Sequence, residues 1–446
     1  MTAVLRFDAW KEGKIRPTTF KLALLPPFVR PVRQAVSPLH LATLKHAQDE
    51  GVVFVRYTAD GKHLIASGYD SGIVEVYDSA TRKRLHRLET GKGGRHNADY
   101  AKFSGDGRTL FLTEENKRKT ATVVREGKKI TRFVHFGGVR HWDVATGKEG
   151  EPFAPERDAG ALTCAVSPDG KWLVVGEIGP QDESTRGIVP YQSYLWNTQT
   201  RTKRPLGDFL IHAAFLPDSS AFLFVRSDPA TGEATLFRVD VDTARVTAKR
   251  ACPLQGGDLY LSPEAIAPDG KIALVGVGRK RGARMTANLV DTQTLKDVHV
   301  LELSRDMDGT HISSGDFLPS GTAVVVKSRL ADCLLIDRTT RRETGRLVLP
   351  KREQQATAVS ADGRWWAMAW LPPMDEDLPQ ARGVELKDRP QPRISVYDLR
   401  DPKAKPVTLM APEGVIGNLA FSPDGKQLAL GGWGEVHLFD WSKQGR

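Results

Sequence analysis

Cysteine is almost absent. The chain of 446 residues holds three, Cys164, Cys252 and Cys333, an odd number set far apart in apolar contexts. That excludes a disulfide framework; the thiols read as buried and inert, and a cytoplasmic location is expected. No apolar run reaches the length of about eighteen residues that a membrane-spanning helix needs, so no membrane partner is expected. Residues 1–14 mix Arg6, Asp8, Lys11, Glu12 and Lys14 among apolar residues, unlike the apolar core of a secretory leader. Catalytic signatures are missing too: there is no Gly-x-Ser-x-Gly elbow, His-Glu-x-x-His, Cys-x-x-Cys or phosphate-binding loop. The histidines lack metal-ligand spacing, and His135 and His141 read as surface residues of a hairpin rather than ligands. No enzymatic activity and no cofactor is therefore expected.

What the chain does have is a repeat. A hydrophobic strand, a tight turn and a second hydrophobic strand recur eight times. The turns are Thr58-Ala59-Asp60-Gly61, Ser104-Gly105-Asp106-Gly107, Ser167-Pro168-Asp169-Gly170, Leu216-Pro217-Asp218-Ser219, Ala267-Pro268-Asp269-Gly270, Leu318-Pro319-Ser320-Gly321, Ser360-Ala361-Asp362-Gly363 and Ser422-Pro423-Asp424-Gly425. Pro presets φ, Asp bonds back to nearby amides and Gly accepts positive φ, so the chemistry suits a sharp reversal. Strands follow at His63–Ala66, Trp172–Val175, Ala221–Val225, Ile272–Val275 and Gln427–Leu430. Each unit then reaches a third strand ending in an apolar residue and Asp or Asn: Tyr77-Asp78, Trp142-Asp143, Trp196-Asn197, Val239-Asp240, Val290-Asp291, Ile336-Asp337, Tyr397-Asp398 and Phe439-Asp440. A short Asp there can close the next turn with a side-chain-to-backbone bond.

On these residues the chain resembles the WD40 family. Ser67 to Asp78 looks like that family's strand–turn–strand ending, with Tyr77 in the Trp position, and Phe421 to Lys426 looks like the preceding turn. The first unit alone keeps a set matching the family's structural residues, His46, Ser67, Asp70 and Tyr77. TolB-like propellers carry similar Asp-Gly turns. The resemblance covers residues 39–446 and implies an all-β propeller of eight four-stranded blades, with seven as the alternative, and a protein-binding role.

Ring closure follows from what the last unit lacks. Trp441 to Arg446, after its third strand, is too short for a turn and a fourth strand, and an unpaired edge would leave backbone groups bare. His40 to Lys45 resembles the missing strand and is expected to clasp the ring. Residues 1–38 form a basic, Pro-containing extension with a strand expected over Thr18 to Leu25. It reads as an arm packed on the ring, and a partner-binding tail is the second reading.

Long insertions fall between the second and third strands of units two (Glu114 to Phe136), three (Glu177 to Gln192) and seven (Leu371 to Pro392). Loops on a rigid scaffold are where recognition usually sits. Net charge is +10, and it is concentrated. Lys117, Arg118, Lys119, Arg125, Lys128, Lys129 and Arg132 face one acid, Glu126; Arg279, Lys280, Arg281 and Arg284 form a second cluster, and residues 1–38 carry seven basic and two acidic groups. Such a field attracts an anionic partner. The expected partner is an acidic protein bound by a monomeric scaffold, with nucleic acid as the alternative; few aromatics interleave with the charges, which argues against base stacking. The acidic stretch Met374 to Asp377 is a candidate for docking on the basic loops within the molecule. A third reading is a channel-centred enzyme: Trp142 to Lys148 faintly resembles a quinoprotein repeat, and carboxylates converging on the channel would suit a lactonase-like site. The run Trp365-Trp366-Ala367-Met368-Ala369-Trp370 reads as a strand packed between blades, Trp366, Met368 and Trp370 on one side and Trp365, Ala367 and Ala369 on the other.

Overall fold

The computed structural model describes residues 3–11, 14–22, 37–46, 52–68, 73–89, 102–113, 117–125, 128–154, 160–178, 181–182, 191–208, 213–227, 234–252, 259–260, 266–277, 286–302, 312–328, 333–349, 356–370, 391–411, 417–432, 434–442 and 444. They form eight antiparallel sheets in sequence order around a ring. Blades 1 and 3–7 span 52–89, 160–208, 213–252, 259–302, 312–347 and 356–410, each with four strands. Blade 2 has three strands, Lys102–Phe103, Thr109–Thr113 and Val139–Asp143, and its fourth position is held by isolated bridges from Val139 to Phe153 and Trp142 to Glu149. Blade 8 combines Leu419–Phe421, Gln427–Gly431 and Glu435–Asp440 with His40–Lys45 from the far end of the chain. The sixth unit, with Ser320 in place of Asp, is a full blade, so the count is eight.

All eight third strands end at the Asp or Asn the sequence marks, from Ile73–Asp78 through Glu435–Asp440. That acceptor fixes the next turn. Asp78 Oδ1 accepts from the Thr81 amide at 2.6 Å and hydroxyl at 2.7 Å. Asp143, Asp240, Asp291 and Asp337 repeat the pair with Thr146, Thr243, Thr294 and Thr340, and Asn197 does so through the Thr200 amide. The earlier turns are equally regular. Asp106 accepts from the Ser104 hydroxyl and the Arg108 amide, and Gly107 sits at φ 71°. A Cβ on Gly107 would also come within 2.9 Å of Ala59 N in blade 1, so both backbone angle and space require glycine.

Because neighbouring strands alternate in direction, the first-to-second and third-to-fourth links leave each blade at one rim. The second-to-third links leave at the opposite rim. At the first rim the residue after each Asp or Asn donates its amide to the residue after the preceding turn, as in Ser79 to Lys62 O and Trp441 to Lys426 O. All eight of these bonds lie between 2.7 and 3.1 Å.

The core lies between blades, not within them. The blade 6–7 cluster gathers Val325, Cys333, Leu335 and Leu347 against Trp366, Met368 and Tyr397. Trp365, Ala367 and Ala369 face the other way, against Phe421, Leu428 and Trp441 of blade 8. The alternation expected of this strand is therefore present. Truncating the fully buried Trp366 would cost about 3–5 kcal/mol on the usual scale for aromatic core residues. Cys333 is buried in this packing, whereas the side chains of Cys164 and Cys252 lie outside the described residues.

The clasp is as expected. His40–Lys45 pairs antiparallel with Glu435–Asp440, Thr43 opposite His437, and Leu44 enters the blade 8–1 cluster with Val55, Tyr57, Leu64 and Val436. Tyr57 Oη donates to Gln427 Oε1 at 3.1 Å across the same seam. In the extension, Ala3–Lys11 and Lys14–Leu22 form a two-stranded hairpin, the second strand overlapping the expected one.

Candidate interaction surface

The rim opposite the repeated turns carries the length variation. In blade 2 the link from Thr109–Thr113 to Val139–Asp143 is not an open loop, as its charge density suggests, but a β-hairpin of two nine-residue strands, Lys117–Arg125 and Lys128–Phe136. Thr120, Thr122, Val123 and Val124 in the first strand, and Ile130, Thr131, Phe133 and Val134 in the second, supply β propensity. The hairpin's second strand is extended by Gln181–Asp182 from the insertion of blade 3, with Asp182 opposite Arg132 and Gln181 opposite Phe133. Two insertions that are separate in sequence thus build one side sheet.

Register sorts the charges. Lys117, Lys119, Ala121, Val123 and Arg125 pair with Phe136, Val134, Arg132, Ile130 and Lys128. Paired residues share a face and alternate pairs change face. Five of the seven basic residues, Lys117, Lys119, Arg125, Lys128 and Arg132, therefore stand on one face among aliphatic positions. Arg118 and Lys129 stand on the other, with Thr120, Thr122 and Thr131. Arg279, Lys280, Arg281 and Arg284 lie outside the described residues, within the link between Ile272–Val277 and Thr286–Asp291 of blade 5. Met374 to Asp377, in the link after Trp365–Trp370 of blade 7, also lies outside them.

Of the residues matching the family set, Tyr77 and His46 lie at the clasp seam. Tyr77 Oη lies 3.0 Å from the Lys45 carbonyl and 2.5 Å from Glu75 Oε2; its one proton serves one acceptor at a time. Arg84 neutralises the fully buried Glu75 at 2.7 Å. Burial first, then the Glu75 carboxylate, push Tyr77 well above the ordinary phenol range. His46 and Ser67 are buried, the His46 amide bonded to Gly434 O, and Asp70 lies outside the described residues.

His141 corrects its sequence reading. It is half-buried between Phe111 and Phe153, ring centroids 5.8 and 5.2 Å away, rather than a surface residue. Burial, followed by Arg201, lowers its pKa, and Glu149 opposes them. Trp142 to Lys148 forms the same Asp–Thr turn as its counterparts, with Gly147 at φ 67°, so its quinoprotein-like pattern has a structural explanation.

The central channel holds a cavity of about 530 Å³ whose charged lining residues are Arg56, Lys102 and Asp316. Asp316 is engaged. Lys327 Nζ lies 3.0 Å from its Oδ1, Trp366 Nε1 donates to its Oδ2 at 3.2 Å, and Thr357 Oγ1 bridges Lys327 and Asp316 at 2.8 and 3.3 Å. Sequence reading missed this network. Its signal was a charge inside an apolar strand, Asp316 before Phe317 and Lys327 after Val324-Val325-Val326. Among the described residues, no three His, Cys, Asp or Glu side chains are placed to hold a metal, and no helix is long and apolar enough to cross a membrane.

The C-terminal WD40 domain of Sif2 superimposes with a TM-score of 0.60 over 89% of this chain and 98% of that one, at 14% sequence identity. No protein-family model and no curated protein sequence matches the chain.

Proposed function

We propose that this chain, a WD40-type β-propeller by its fold, is a non-catalytic scaffold that binds an acidic protein partner through the basic side sheet of blades 2 and 3. Folds of this type commonly serve as interaction scaffolds. The observation that carries the reading is the hairpin register, which sets five cations on one face with no acidic residue on either strand. Concentrated charge of one sign speeds encounter with a partner of the other, while the aliphatic positions between the cations give the contact an apolar component. The channel offers less. Its only described acid is already paired with Lys327, and a carboxylate so engaged is poorly placed to act as a base. We further propose that the scaffold acts as a monomer in a reducing compartment such as the cytoplasm, which suits a buried thiol at Cys333.

Affinity capture with the full chain tests the reading, set beside a variant carrying Lys117→Gln, Lys119→Gln, Arg125→Gln, Lys128→Gln and Arg132→Gln. The expected outcome is a set of acidic proteins held by the parent, released as salt rises and lost by the variant at unchanged melting temperature. Identical captures from both chains, or captures that nuclease removes, would overturn it.

A further inference from the structure

The side sheet has an order that matters for how a partner is held. Lys128–Phe136 is its middle strand, flanked by Lys117–Arg125 on one side and Gln181–Asp182 on the other. Lys117–Arg125 is thus an edge: among the described residues no strand pairs with its outer side. A nine-residue edge leaves the amides and carbonyls of alternate residues directed away from the sheet, a template for another strand.

We infer that strand Lys117–Arg125 takes up an extended acidic segment of a partner protein by strand addition. The inference rests on the side sheet being the partner surface and adds the mode of capture. The molecule already uses this mode on the opposite edge, where the blade 3 insertion adds Gln181–Asp182 and sets an acid, Asp182, in register with a base, Arg132. On the open edge, Lys117, Lys119 and Arg125 stand on one face with Ala121 and Val123 between them. Same-face positions recur about every 6.8 Å along a strand, and an added strand has the same period. A segment with acids facing the three cations and aliphatic residues facing Ala121 and Val123 therefore matches the edge position by position. A second copy of this chain does not match. Pairing two such edges would set cation beside cation, and like charges directly opposite destabilise a sheet. Nucleic acid would use the charges but leave the outward carbonyls and the aliphatic positions without partners.

The test uses the full chain and a fluorescein-labelled peptide of about nine residues, Glu-Thr-Val-Thr-Val-Thr-Glu-Thr-Glu, read by anisotropy. Binding is expected at low salt, about tenfold weaker when salt rises from roughly 50 to 300 mM, and about tenfold weaker for the triple variant Lys117→Gln, Lys119→Gln and Arg125→Gln. N-methylating one alternate set of peptide amides should weaken binding about tenfold, the other set less than about twofold, because only one set meets the edge. Equal behaviour of the two methylated peptides, no binding at low salt, or tighter binding of a single-stranded oligonucleotide would overturn strand addition. If strand addition fails while the charge-neutralised chain still loses its captured proteins, the scaffold reading stands alone. If neither the peptide nor any captured protein depends on these residues, both fall.

Discussion

The two rims of the ring are built on opposite rules. At the turn rim, eight copies of one hydrogen-bonding scheme hold the second and third strands of every blade, and departures from it are small: Ser219 at φ 62° where the others have glycine, Ser320 where they have aspartate. At the other rim the links between second and third strands differ in length from blade to blade. One link between second and third strands is a charged hairpin, another reaches across to extend it, and others are short. The difference teaches where each kind of selection can act. Backbone groups at the turn rim are committed to one another, so a change there is felt as stability. Links at the other rim vary in length, and such loops on a rigid scaffold are where recognition usually sits.

Removing the clasp should break this contrast most severely, because both rims depend on a closed circle. Without residues 1–45 the last blade loses its outer strand, and amides of Glu435–Asp440 should lose about 100-fold in hydrogen-exchange protection, equivalent to about 2.7 kcal/mol. Unchanged protection would show that the ring is held without it. The channel wall should be affected on a similar scale. Asp316→Ala leaves the Lys327 ammonium buried without its counter-ion and should cost about 3–5 kcal/mol in denaturant unfolding, whereas Asp316→Leu combined with Lys327→Met should recover most of it. A single-variant cost below about 1 kcal/mol would mean that the pair is dispensable.

The turn rim itself makes a smaller prediction about pH. The Thr243 hydroxyl, then its amide, hold the Asp240 carboxyl below the usual carboxylate range, and Asp78, Asp143 and Asp337 are lowered by the same kind of partners. Stability from a lowered pKa is fully present above the unfolded value of about 3.9 and drains as pH falls through the folded one. Asp240→Asn keeps the acceptor, as Asn197 does in blade 3, but cannot titrate. Its melting temperature should therefore fall less than the parent's between neutral pH and pH of about 3. Equal losses would show that these turns do not contribute to acid unfolding. Smallest of all should be the effect on stability of neutralising the hairpin, within about 0.5 kcal/mol, since the loss there is of binding.

Legibility in the sequence divides along the same line. Turn chemistry is local, so Asp-Gly and Asp-x-x-Thr spacings mark the eight blades, the ends of all third strands and even the need for His40 to Lys45 to complete blade 8. Side-chain partners brought together by packing between blades or by register within one leave no such trace. Asp316, Lys327, Thr357 and Trp366 meet only because two sheets pack face to face, and Glu75 with Arg84 and Tyr77 only because a strand and its neighbour are in register. The hairpin fell between these cases. Its charges were plain, but the run from Lys117 to Phe136 reads as a loop when charge is weighed above its threonines and valines. The face that five of those cations share becomes visible only with the pairing.

Joining blade 8 through residues as far apart as Thr43 and His437, 394 positions, also sets a schedule for the ribosome. At roughly 5–20 residues per second, the first of these strands waits about 20–80 s for its partner to be synthesised. Throughout that interval the nascent chain is an open arc with two bare ends. Any chaperone that serves this protein must therefore shield a growing sheet edge until translation delivers the piece that completes the circle.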